Sequence, residues 1–143
     1  VKKWHEQEQR ILTVIGNEDV EPGAALQLWY RHLLKSLRLP FEVTGIEDFQ
    51  WEEFYVLGPG DKTEYQQLRK NRPSYRDLFE LNAIDVDSDS EWSMFSEDLK
   101  AHVRRQSDGK RFILGLSELK AMNKKSYEYQ LLHDYSVWHA NYR

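Results

Sequence analysis

Leu26, Trp29, Tyr30, Leu33 and Leu37 recur at i, i+3, i+4, i+7 and i+11, the spacing of one apolar helix face. The stretch predicts a helix over 22–38, with Pro22 in its first turn. Pro40 cannot donate a backbone hydrogen bond and pushes Leu39 out of the helical region. The chain then leaves extended, and Phe41, Val43 and Gly45-Ile46 read as a strand over 41–47. This corner is the expected seed of the core. Upstream, Trp4, Ile11, Leu12 and Ile15 share a face of a first helix over 2–15, closed by Gly16-Asn17. At the far end Tyr127, Leu131, Tyr135, Trp138 and Tyr142 stand at i, i+4, i+8, i+11 and i+15. They predict a final helix over 124–142 whose aromatic stripe packs on the core and serves no cofactor.

The middle of the chain reads as strands. Phe49, Trp51, Phe54, Tyr55 and Val56 suggest a second strand over 48–57, stopped by the turn Gly58-Pro59-Gly60-Asp61. A short helix is expected over 63–71, ended by Pro73, and a strand over 75–86. Stretches 99–105 and 110–116 flank Asp108-Gly109, a strong hairpin signal. Residues 117–123 read as a connector. Strands grouped between helices predict an α+β class with an antiparallel sheet. Strands this short could close into a small barrel or stay a curled sheet.

Composition adds exclusions. The 143 residues suit one domain over 1–143. There is no cysteine, which removes disulfides, zinc thiolates and thiol catalysis. No apolar run is long enough to span a membrane. The polar start Lys2-Lys3-Trp4-His5-Glu6-Gln7 does not read as a signal peptide, and the cytoplasm is the expected location. A net charge of -4 argues against general nucleic-acid binding. The five histidines include no metal-ligand pair at i, i+4, and there is no nucleophile elbow, phosphate loop or nucleotide fingerprint. No enzymatic activity is expected.

The candidate chemistry lies in Asp85, Asp87, Asp89 and Glu91, which occupy alternate positions. In a straight strand successive members would lie about 6.6 Å apart, too far to share one ion. A loop that curls back, helped by Ser88 and Ser90, could gather them. Calcium takes six to eight oxygen ligands, and carboxylates, hydroxyls and carbonyls supply them. The stretch is not an EF-hand. Counted from Asp85, the sixth position is Ser90 instead of glycine and the twelfth is Ser96 instead of glutamate. Counted from Asp87, the twelfth is Asp98 but the sixth is Trp92. Glu97 or Asp98 could close the shell. The bland reading is a solvated acidic loop. Glu18, Asp19 and Glu21 read as a helix-start feature, and Glu47, Asp48, Glu52 and Glu53 as a third acidic group without a better claim.

A competing reading stays open. Arg69, Lys70, Arg72 and Arg76 lie around Tyr65 and Tyr75, so surface 65–76 could serve a metal-free module that binds a protein, or a single-stranded nucleic acid through phosphates and stacking. Solvated basic patches that balance the acids are the bland alternative.

Several motifs resemble the small bacterial calcium-binding proteins of the cyanobacterial CcbP type. Trp29-Tyr30, followed by leucines and Leu39-Pro40-Phe41, is similar to the family's Trp-Tyr-x-Tyr-Leu and Phe-Pro-Phe segment. Phe112-Ile113-Leu114-Gly115-Leu116-Ser117-Glu118-Leu119 resembles its Leu-Ala-Val-Pro-Leu-Ser-Gln-Leu. Asp134-Tyr135-Ser136-Val137-Trp138 resembles its Asp-Trp-x-Tyr-Trp, and Arg10-Ile11 is a weaker match. Order and spacing agree over most of the chain. The resemblance implies an α+β domain with a small SH3-like barrel, two N-terminal helices and one C-terminal helix. It also implies calcium binding without an EF-hand, for buffering or sensing. The sequence departs from the pattern in two ways. Residues 48–75 read as an insertion relative to shorter members, and Gly115 stands where the family tends to have proline.

Overall fold

In the computed structural model, which describes residues 2–141, the three amphipathic stretches become α1 (Lys2–Ile15), α2 (Pro22–Ser36) and α5 (Tyr127–Asn141). Tyr142 and the side chain of Trp4 lie outside the described residues. Helix α2 buries Leu26, Trp29 and Leu33, and α5 buries Leu131, Tyr135 and Trp138. Trp29, Tyr135 and Trp138 pack ring against ring, so the predicted stripes meet each other and form the core. Asp134 faces α1, where its carboxylate accepts from Arg10 Nε at 2.7 Å and Gln7 Nε2 at 3.0 Å. Helix α2 ends at Ser36, two residues before the predicted end at Arg38, because Leu37 is already extended.

Strands β1 (Phe41–Gly45), β2 (Phe79–Asp85), β3 (Lys100–Arg105), β4 (Arg111–Gly115) and β5 (Leu119–Ala121) form one antiparallel sheet in the order β4-β3-β2-β1-β5. Of the two predicted forms, the sheet is the open, curled one; β4 and β5 are its edges and do not close a barrel. One face carries Val43, Phe79, Leu81, Ala101, Val103 and Leu114 into the core with α2 and α5. The β3–β4 hairpin turns at Asp108-Gly109 as expected, with Gly109 at φ +78°, a conformation that favours glycine.

Three sequence expectations change. Residues 48–57 do not form a strand: Gln50–Glu52 is a 3-10 turn and Glu53–Val56 is helix α3. The physical reason is Glu52. It is fully buried, and its carboxylate accepts from Tyr65 Oη at 2.6 Å, Ser74 Oγ at 2.6 Å and the Tyr75 amide at 2.8 Å. Local hydrogen bonding to this side chain outcompetes a sheet ladder, and the aromatic residues pack on α4 (Lys62–Arg69), where Tyr55 stacks on Tyr65. Strand β2 begins at Phe79 instead of residue 75, because Tyr75 is held by Glu52 and the Ser74 amide by Asp77. Residues 117–123 are more than a connector: a 3-10 turn over Leu116–Glu118 feeds β5 onto β1.

Arg105 ties α4 to the sheet. Only 3% exposed, it donates to the carbonyls of Arg69, Lys70 and Arg72 at the end of α4 and to Asp77 and Asp108. It therefore caps the helix C-terminus with a buried cation, complementing the helix dipole.

Candidate oxygen-donor site

The acidic stretch lies between β2 and β3. A bulge at Asn82 shifts the β2–β3 register so that Asp85 faces Lys100, which brings His102 to the diagonal position on the same sheet face. The Asp85 carboxylate is taken up there: Ser88 donates to it from its amide at 2.8 Å and from Oγ at 2.6 Å, and His102 Nε2 makes a short contact with Oδ2. These partners hold the Asp85 carboxyl below its ordinary range against the opposing effect of burial. Asp87, Asp89 and Glu91 are exposed. Among the described residues no three Asp, Glu or His side chains converge closely enough to hold an ion.

The same loop places other oxygens elsewhere. Ser90 Oγ donates to the Ile113 carbonyl and accepts from the Ser93 amide at 3.1 Å, which pins the loop against β4. Lys100 Nζ holds its exit through the carbonyls of Ser96 and Asp98, at 3.2 and 2.8 Å. Asp98, 1% exposed, then reaches across to the turn after β4. Its carboxylate accepts from Tyr135 Oη at 2.5 Å and Ser117 Oγ at 2.6 Å. Glu118, on that turn, points toward the same place and receives only a long contact of 3.4 Å from the Met94 amide.

These oxygens meet over Gly115. A Cβ built there would lie 2.6 Å from Asp98 Oδ2, 2.7 Å from Ser93 Oγ and 2.8 Å from Glu118 Oε2. The missing side chain of Gly115 thus leaves a cradle lined by two carboxylates and a hydroxyl. A cleft of about 540 Å³ opens beside it, with Glu47, Asp48, Ser117 and Glu118 in its wall. Burial pushes the Glu118 carboxyl up to about 7, and the charges of Asp98 and Glu47 add to the shift. Burial also raises Asp98, although His139, Ser117 and Tyr135 oppose it. Among the described residues no lysine or arginine pairs with either carboxylate.

Gly115→Ala tests the cradle. A methyl must displace Asp98, which Tyr135 and Ser117 hold in place, so the substitution is expected to cost about 1–3 kcal/mol in urea denaturation. A change under 0.5 kcal/mol would mean that the oxygens do not crowd this position.

Sequence reasoning named Asp98 only as an accessory and passed over Glu118 and Ser93. The departure from the family's proline at Gly115 was the one available signal. The competing basic surface is built differently from the expectation. Tyr65 is buried, and Arg69, Arg72 and Arg76 lie over the rings of Tyr65, Trp51 and Tyr75. Those rings already carry cations, and Arg69 pairs with Asp77. No described helix is long and apolar enough to cross a membrane.

No family model and no curated protein sequence matches the chain. Two solved structures do. One, a calcium binding protein in its calcium-binding form, superimposes with a TM-score of 0.55 and 17% identity, covering 94% of this chain and 90% of its own. The other is CcbP from Anabaena, with a TM-score of 0.58 and 16% identity, covering 95% of this chain and 90% of its own. From the first helix to the last, the chain has the fold of Anabaena CcbP.

Proposed function

We propose that this protein binds calcium through oxygen donors at the Gly115 cradle, as a buffer or sensor and not as a catalyst. The observation that carries the reading is the convergence of Asp98, Glu118 and Ser93 over a residue without a side chain. The shared fold with two calcium-binding proteins supports it. The donor set is chemically apt: all three atoms are hard oxygens, which suit calcium and not thiophilic metals. Asp98 is buried and Glu118 half-buried, neither pairs with a lysine or arginine among the described residues, and a divalent cation relieves the crowding of their charges. Asp98 and Glu118 would carry the charge and Ser93 a neutral oxygen. Backbone carbonyls and water would complete six to eight ligands. Asp89 and Glu91 line a different cleft, beside His102 and Arg111; direct ligation by the acidic stretch Asp85, Asp87, Asp89 and Glu91 is the alternative placement.

Thermal and urea unfolding in chelator, in calcium and in magnesium tests the reading. Calcium at a hundred times its dissociation constant is expected to add about 2.7 kcal/mol. Glu118→Gln should remove that gain, and Asp87→Asn with Asp89→Asn should leave most of it. The reverse pattern would move the site to that acidic stretch. No calcium-specific gain in the wild type would defeat calcium binding altogether.

A further inference from the structure

The cleft of about 540 Å³ beside the cradle has room for more than an ion. Its walls come from four separate stretches: the chain after β1, the loop before β3, the turn after β4 and helix α5. Ile46, Met94 and Val137 supply apolar wall, and Ile46 and Met94 are each 42% exposed. Exposed apolar side chains gathered in a concavity and rimmed by charge mark interaction surfaces. The rim here has one sign. Glu47, Asp48 and Glu118 line the cleft, and no lysine or arginine among the described residues does. An ion at the cradle would satisfy Glu118 but leave Ile46, Met94 and Val137 facing water. An occupant that covers the whole cleft has to bring both apolar side chains and positive charge.

We propose that this cleft docks a partner protein through an apolar segment flanked by lysine or arginine, and that the segment competes with calcium for Glu118. Charge complementarity selects the partner, since the acidic rim repels nucleic acids and anionic membranes. Met94, flexible and polarisable, lets the wall adapt to the incoming side chain. Glu118 is the shared residue, because its carboxylate both crowds Gly115 in the cradle and lines the cleft. A carboxylate engaged by the ion is not free for a lysine, so each ligand weakens the other by the same factor. The competition rests on calcium at the cradle; the docking does not.

The probe is acetyl-Lys-Leu-Leu-Lys-Lys-amide, added to the protein in chelator. Two control peptides replace its leucines by serine or its lysines by glutamate. The protein has two methionines, so ¹³C-methyl labelling gives two signals, and Met94→Leu identifies that of Met94. Met122 is 46% exposed and does not line the cleft, which makes it the internal reference. The probe should move the Met94 signal saturably and leave Met122 in place, with both controls at least tenfold weaker. Glu47→Gln with Asp48→Asn should weaken the probe at least fivefold. Calcium, at a concentration that raises the melting temperature, should weaken it at least tenfold. The docking is overturned by an unmoved Met94 signal at millimolar probe or by either control binding as tightly. A Met94 signal that moves with protein concentration alone would place a second copy in the cleft and overturn it too. Calcium that stabilises the protein yet leaves probe affinity unchanged would overturn the competition for Glu118. Calcium that does not stabilise the protein defeats the calcium reading, and the chelator arms still decide the docking.

Discussion

Arg105→Ala is expected to destabilise the protein by about 3–5 kcal/mol, the range for removing one partner of a buried ion network. The guanidinium uses every face of its fork. Nε and Nη2 hold Asp108 at 3.1 and 2.8 Å, Nη1 holds Asp77 at 2.9 Å, and three carbonyls at the end of α4 take the remaining contacts. Without it, Asp77 keeps only the weaker 3.3 Å contact with Arg69 as a charged partner, and the last carbonyls of α4 lose their donors. Arg105→Lys retains the charge but not the planar fork, and about half the loss should persist. Urea denaturation reads the total. Hydrogen exchange reads its location, with the largest loss of protection in 62–72. A loss below 1 kcal/mol for Arg105→Ala would show that α4 is held by its aromatic packing alone.

In chelator, stability should fall as pH rises from about 4.5 to about 7. The folded-state pKa of Glu118 is raised to about 7 from an ordinary value of 4.5, so the folded protein binds more protons than the unfolded chain in that window. Its contribution is fully present below 4.5 and lost as pH passes 7, a loss of about 2–3 kcal/mol. Asp98 shifts in the same direction. Asp108 acts oppositely: Arg105 holds it at about 2, so its contribution is present above its ordinary 3.8 and lost only as pH falls toward 2. The metal-free protein is therefore expected to be most stable near pH 4–5. Calcium should invert the slope, because it needs both carboxylates ionised. Glu118→Gln should flatten the chelator profile and make the metal-free protein more stable than wild type at pH 8. An unchanged slope in that variant would remove Glu118 as the titrating group.

The helices and the hairpin were legible because each is written locally. Leu26 to Leu37 carries a helical period, and Asp108-Gly109 supplies the turn. Residues 49–56 misled because Phe49, Trp51 and Tyr55 share the aromatic composition of a strand. What decides the local form is Glu52, whose partners Tyr65, Ser74 and Tyr75 are distant in sequence. Strand β5 was missed because three residues carry no readable alternation. The acidic loop was visible as a loop, but the cradle was not. Asp98 lies in the loop before β3, Gly115 ends β4 and Glu118 sits on the turn after it, and Ser117-Glu118 reads as part of an apolar motif. Alternation at Asp85, Asp87, Asp89 and Glu91 advertised a set of ligands, yet the bulge at Asn82 and the partners Ser88 and His102 tie the first of them down.

Strand β3 links the two polar centres of the molecule. Lys100 pairs with Gly115 at one end, and Arg105 closes the hairpin at the other. Five residues of extended chain separate them by about 17 Å, beyond the roughly 7–10 Å within which substituted sites couple. The strand is a spacer: among the described residues the two centres share no hydrogen-bonding partner, so variants at the two ends combine additively.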